Sequence, residues 1–170
     1  MGEREIPEPW LRGTLTEVPA VFRGVLHALE LAKEDIASWC GDLTDAQLNS
    51  RPAGIAPVAF HVRHIARSVD RLLTYAEGRR LDKKQIAALK TELDPGVTRG
   101  KLFLEFTESL DRGAARIHAL IQAPLEEPRR VGKLELPTTL GGLLVHVADH
   151  TQRHVGQAVT TAKIVVAQSG

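Results

Sequence analysis

An all-α fold, a four-helix bundle with crossover connections and additional short helices, is what this sequence predicts, on three observations. Four long segments repeat apolar residues at helical spacing. Prolines, glycines and capping residues punctuate the chain between them. No run alternates apolar and polar residues for long enough to compete as a sheet. Four amphipathic helices must each hide one apolar face, and a bundle hides all four together. No repeat or low-complexity stretch divides the chain, so residues 1–170 read as one domain, with an arm over 1–15 and the bundle over 16–165.

The arm is broken by Pro7 and Pro9. From about Glu17 to Trp39, the residues Val18, Val21, Phe22, Val25, Leu29 and Ile36 recur on one side of a first long helix. Thr44, with Gln47 three residues later, forms a capping box for a short helical turn. Arg51-Pro52-Ala53-Gly54 and Pro57 then interrupt the chain before a second long helix, about Pro57 to Glu77, which Gly78 can end. Leu81 to Glu92 predicts a shorter helix, capped by Asp82 and anchored by Ile86 and Leu89. The third long helix, about Gly100 to Ala123, has the cleanest stripe, with Leu102, Phe106, Leu110 and Ile117, and Pro124 stops it. An extended link bounded by Pro128 and Pro137 leads to the fourth, capped by Thr138 or Thr139 and reaching about Val165. The links before the third and fourth helices are long enough for crossovers, so a plain up-down-up-down order does not follow.

Hydrophobic residues make up 43% of the chain and charged residues 25%, which is ordinary for a soluble globular protein. The 22 basic and 21 acidic residues are interleaved and aromatics are only 4%, so no nucleic-acid partner is expected. Cys40 stands alone and reads as a buried, inert thiol. The N-terminal segment is acidic and proline-broken, and no window approaches the roughly eighteen apolar residues of a membrane span. No membrane partner and a cytoplasmic location are therefore expected. Glycine-rich phosphate loops and a GxSxG elbow are absent.

Five of the seven histidines fall in two helical segments. His61 and His64 lie in FHVRHIARSVDRLL; His146, His150 and His154 lie in LLVHVADHTQRHVGQ. Residues four apart share one helix face, so two imidazoles of the later segment can reach one ion, and a third from a facing helix would close a three-nitrogen site. Such a site leaves a coordination position for water or substrate. Nitrogen donors suit Zn, Ni, Co or Fe(II), whereas Mg and Ca prefer oxygen. HTQRH lacks the glutamate of the HExxH proteases, and the Glu-x-x-His pairs of di-iron bundles are missing. Around these histidines, Gly156 is expected to admit a neighbouring backbone. Arg63 and Arg67 read as surface or ion-paired helix positions, Asp70 and Arg71 as a solvated helix face, and Asp149 as a surface group or a support behind a ligand. Gln152 and Arg153 are expected to point away from the ion, and His27 and His118 to be partly exposed.

Together, FHVRHIARSVDRLL and GGLLVHVADHTQRHVGQ resemble the two signature helices of the DinB/YfiT-like superfamily of metal-dependent enzymes. The resemblance runs from the first helix to about Ile164. It implies a four-helix bundle of the DinB/YfiT-like type, a homodimer, and one divalent transition-metal ion held by three histidines. On that match His64, just before IARSVDRLL, is the first ligand, and His150 and His154 are the later pair, leading into Val155-Gly156-Gln157. Val155 departs from the family's frequent arginine, which removes a local charge but no ligand. His61 and His146 fall outside the ligand set. Each is a candidate catalytic residue, lining the cavity and moving a proton if its pKa lies near 7; a structural or interface role is the alternative.

The resemblance further implies a metal-dependent enzyme. Its concrete version is a thiol S-transferase that joins a low-molecular-weight thiol to an electrophile, and a metal-dependent hydrolase comes next. The contrasting class is a non-catalytic bundle or dimer stabilised by its metal. Coordination closed by four protein ligands would favour that class, and an open position an enzyme.

Overall fold

A computed structural model describes residues 6–169 of the chain. Residues 1–5 of the expected arm and Gly170 lie outside the described residues. Six helices, α1 (Ala20–Cys40), α2 (Asp45–Asn49), α3 (Val58–Ala76), α4 (Lys83–Lys90), α5 (Arg99–Ala119) and α6 (Leu140–Ser169), are joined by a small hairpin of β1 (Pro128–Val131) and β2 (Leu136–Thr139). The four long ones form the bundle. Thr44 and Gln47 make the reciprocal capping box at α2, and Asp82 with Gln85 makes a second one at α4. Thr139 Oγ1 accepts from the Gly142 N–H at 3.1 Å, which satisfies an orphan donor at the start of α6.

Pairwise contacts fix the helix directions. His61 meets His154 while Ser68 meets His150, so α3 and α6 are antiparallel. Gln152 donates to the Ala28 carbonyl and the Lys163 ammonium sits over the Trp39 ring, so α1 and α6 are parallel. Arg67 reaches Glu105 and Glu77 accepts from Arg116, so α5 runs with α3. The long helices therefore run up, down, down, up. Two consecutive helices pointing the same way need a connection along the bundle, and α4 supplies it. It climbs back beside α3, with Gln85 against Asp70, the Ala88 carbonyl against Arg67 and the Thr91 carbonyl against Arg63.

The core is made by Phe22, Val25 and Leu29 of α1, Ile65, Val69 and Leu73 of α3, Leu102, Phe106, Leu110 and Ile117 of α5, and Leu144 and Val147 of α6. Each such side chain stabilises the fold by about 1.5–3 kcal/mol. Gly113 lets α5 press onto α3, since a Cβ there would stand 2.8 Å from Val69 Cγ1. Gly78 follows α3 with a φ of 73°, the left-handed turn expected of a helix-ending glycine.

Several expectations are corrected. Ile86 and Leu89 are not core anchors: they are 44% and 48% exposed, and α4 has no buried residue. Polar contacts hold α4 instead, because its route is set by the arginines of α3. The link before α6 is a hairpin, not merely extended chain; pairing Val131 with Leu136 across the Gly132 turn satisfies backbone groups that an open link would leave to water. α5 ends at Ala119, ahead of the expected Ala123, because the chain tightens into turns in which Leu120 N–H bonds the Ile117 carbonyl. Gly156 meets no neighbour within 4 Å, so it admits no backbone. Among the described residues, no helix is long and apolar enough to cross a membrane.

Candidate metal centre

The antiparallel contact of α3 with α6 decides which histidines meet. Val62 and Ile65 are fully buried on α3, as are Val147 and Thr151 on α6. The histidines beside them are carried to the seam between the two helices, half-buried in the cases of His64, His150 and His154. One nitrogen from each of these three lies within 4.8 Å of the others. Nε2 of His64 and Nε2 of His150 are 3.3 Å apart. Two nitrogens bound at 2.0–2.1 Å in tetrahedral geometry stand about 3.3–3.4 Å apart, so this edge already has the length a zinc-like ion requires.

Each of the three rings has its own partner behind it. Nδ1–H of His64 donates to Glu92 Oε2 at 2.6 Å, which leaves Nε2 with its lone pair toward His150. Ser68 Oγ donates to the Ile65 carbonyl at 3.2 Å and lies 3.4 Å from His150 Nδ1, so it can accept the proton of that nitrogen. Nδ1 of His154 lies 3.1 Å from Nδ1 of His61. With His154 as donor in that pair, its Nε2 is the third free nitrogen. These supports fix ring orientation and tautomer, as metal-ligating histidines need. Phe60 stacks on His64 with ring centroids 5.3 Å apart and walls the cluster on one side.

The electrostatics agree with a cation site. Burial, and then the repulsion of neighbouring imidazoles, push His61, His150 and His154 down to about 4, so all three are neutral at pH 7. Burial alone would raise the Glu92 pKa, but the hydrogen bonds from His64 and Arg71 outweigh it and hold the carboxyl below its ordinary value. Neutral nitrogens with converging lone pairs, backed by an ionised carboxylate, fit a divalent transition-metal ion.

The resemblance-based ligands His64, His150 and His154 are thus brought together, and His61 joins them through His154. His146 is exposed, with its ring 5.4 Å from that of His150. Glu92 is the group that sequence reasoning missed. Its carboxylate is only 5% exposed and joins His64 to Arg71, whose Nη1 donates to Oε1 at 2.6 Å. Arg71 is buried, contrary to the solvated face expected of it, and Arg63 is buried where a surface or ion-paired position was expected. Arg63 Nη1 donates to the carbonyls of Thr91, Glu92 and Asp94 and so clamps the segment that delivers Glu92. A signal was present: Arg63, Arg67 and Arg71 repeat every four residues, a cationic stripe that needs acceptors from a facing element.

The remaining expectations divide. Asp149 is exposed and pairs with Arg153, and Gln152 binds the Ala28 carbonyl away from the cluster. His118 is exposed as expected, but His27 is buried, with Nε2 3.1 Å from Thr14 Oγ1. Cys40 is buried, and desolvation pushes its thiol up to about 12, an inert state at neutral pH.

A family model described as the DinB superfamily matches residues 28–158, which include α3 and every histidine of the cluster. Neither the curated proteins nor the solved structures contain a match to the chain.

Proposed function

We propose, since this chain belongs to the DinB superfamily, that it is a metal-dependent enzyme whose His64, His150 and His154 hold one divalent transition-metal ion. The observation that carries this reading is the convergence of three imidazoles, each with a separate hydrogen-bonding group behind it. Such an ion, when bound, supplies Lewis acidity toward a thiol or a water. The reaction we assign is transfer of a low-molecular-weight thiol to an electrophile. The arriving thiol gives up its proton, its sulfur bonds to the electrophilic carbon, and the leaving group departs with the bonding pair.

His146 is the better proton acceptor of the two candidates, because it is exposed beside His150 and can return the proton to solvent. His61, buried and with its pKa near 4, is a weak base whose role is to hold the His154 ring. Glu92 orients His64, and Phe60 keeps water from one side of the cluster.

One observation favours a second reading. The closeness of His61 to His154 would let a small ring rotation offer a fourth nitrogen and close the site, as in a structural metal centre. Elemental analysis of untagged protein tests both. The expected result is close to one transition ion per chain, falling below about a tenth of that in each of His64→Ala, His150→Ala and His154→Ala, with His61→Ala retaining most of it. Normal metal content in all three variants defeats the ligand set. Equal loss in His61→Ala moves the site to the closed, structural reading. Consumption of thiol and electrophile by the loaded protein, slowed in His146→Ala, then tests the reaction.

A further inference from the structure

A groove of about 500 Å³ opens between α3, α4 and α5, lined from α3 by Ala66, Arg67, Asp70 and Arg71. Six cationic side chains and two carboxylates line it. Every carboxylate within reach already has its donors. Glu105 accepts from Arg67, Asp70 from Arg116 and Gln85, Glu77 from Arg79 and Arg116, and Glu108 from Arg112. Each of these carboxylates is already engaged, while donors remain.

Two donors carry the inference. Arg71 is 9% exposed, and a guanidinium has five N–H groups. One of them goes to Glu92; among the described residues no other acceptor meets the rest, and the side chain lines the groove. Lys84 stands on the rim with no carboxylate partner among the described residues. A nearly buried guanidinium that keeps N–H groups beyond its one carboxylate bond, and an unpaired ammonium lining the same polar groove, are complementary to an anion with several acceptor oxygens.

We propose that this groove binds a small oxyanion, a phosphoryl or carboxylate group, with Arg71 on its floor and Lys84 on its rim. The ligand is held by charge-assisted hydrogen bonds, and Gln85 and Ser109 supply polar wall without negative charge. Arg71 also holds Glu92, and Glu92 holds His64, so one guanidinium belongs to both the groove and the histidine cluster.

Calorimetric titration of the full, metal-loaded chain tests the site, using inorganic phosphate in one series and succinate in another at constant ionic strength set with chloride. The expected result is saturable binding of at least one probe, one per chain. Lys84→Ala and Arg71→Lys should each weaken it about tenfold, the loss of one charge-assisted hydrogen bond. Lys84 is exposed, so its variant leaves the core intact, and Lys133→Ala, outside the groove, should bind as the parent does. Which probe binds identifies the oxyanion. No saturable binding of either probe up to about 20 mM overturns the proposal. So does binding that both groove variants leave unchanged, which would place the anion elsewhere, the metal included.

Discussion

Along one stripe of α3, His61 and His64 face His150 and His154 of α6; along another, Arg63, Arg67 and Arg71 face carbonyls and carboxylates of α4, of the link that follows it and of α5. The first stripe collects imidazole nitrogens whose lone pairs suit a cation. The second collects N–H donors, which the carbonyls and carboxylates of the crossing chain engage. One helix can present both because its side chains leave at about 100° per residue, so Arg63 points well away from His64, while the i,i+4 stripe drifts by about 40° a step and brings Arg71 back beside it. Glu92 lies where the two meet, with one oxygen on His64 and the other on Arg71. The lesson is that the support of the first ligand, unlike Ser68 and His61 behind the other two, comes from the crossing chain that the arginines of α3 hold.

The strongest way to break this comparison is Glu92→Ala. It would leave Arg71 as an uncompensated buried charge and His64 unsupported. We expect a loss of about 3–5 kcal/mol in denaturant unfolding and a roughly 10–100-fold loss of metal affinity. A variant within about 1 kcal/mol of the parent and with the parent's affinity would show that the carboxylate joins nothing. Glu92→Gln, which keeps an acceptor but no charge, should fall between the two.

Acid should separate the sides next. In the metal-free protein, His61, His150 and His154 titrate near 4 when folded against an ordinary value of 6.5. The unfolded chain therefore binds more protons between those values, and stability rises with pH across the window. It should be complete above about pH 6.5 and fall progressively toward about pH 4, with His61, the most buried, contributing on the order of 3 kcal/mol. Unfolding titrations at stepped pH check this, and His61→Gln should flatten the slope. A slope unchanged in that variant would remove His61 from the buried cluster.

The smallest effect sharpens the account of α4. Leu89→Gln should change stability by no more than about 0.5 kcal/mol, since that residue is exposed outside the core, whereas Leu73→Ala in α3 should cost about 2–5 kcal/mol. If the two losses are comparable, α4 is held by apolar anchors after all and its arginine contacts are secondary.

How far the sequence carries the reading can be followed through particular residues. The stripe from Leu102 to Ile117 and the capping box at Thr44 are local patterns, with cause and effect a few residues apart, so they were legible and the structure keeps them. The i,i+4 spacing of His150 and His154 placed them on one face by helix geometry alone, and the resemblance to the DinB/YfiT-like helices named His64 as their partner. Nothing local marked Glu92. It reaches His64 because two parallel neighbours, α3 and α5, force the chain to return along α3, and Arg63 then clamps the end of that return. Ile86 and Leu89 misled for the same reason: their spacing is that of a buried face, but the path of α4 turns it to solvent. By itself, then, the sequence determined the helices, their apolar faces and the clustering of histidines on two of them, because backbone periodicity and capping are short-range. Only the tertiary structure decided which buried carboxylate supports the cluster, which arginines leave water and which groove is left with unmatched donors, because those depend on helix direction and on where a crossover runs.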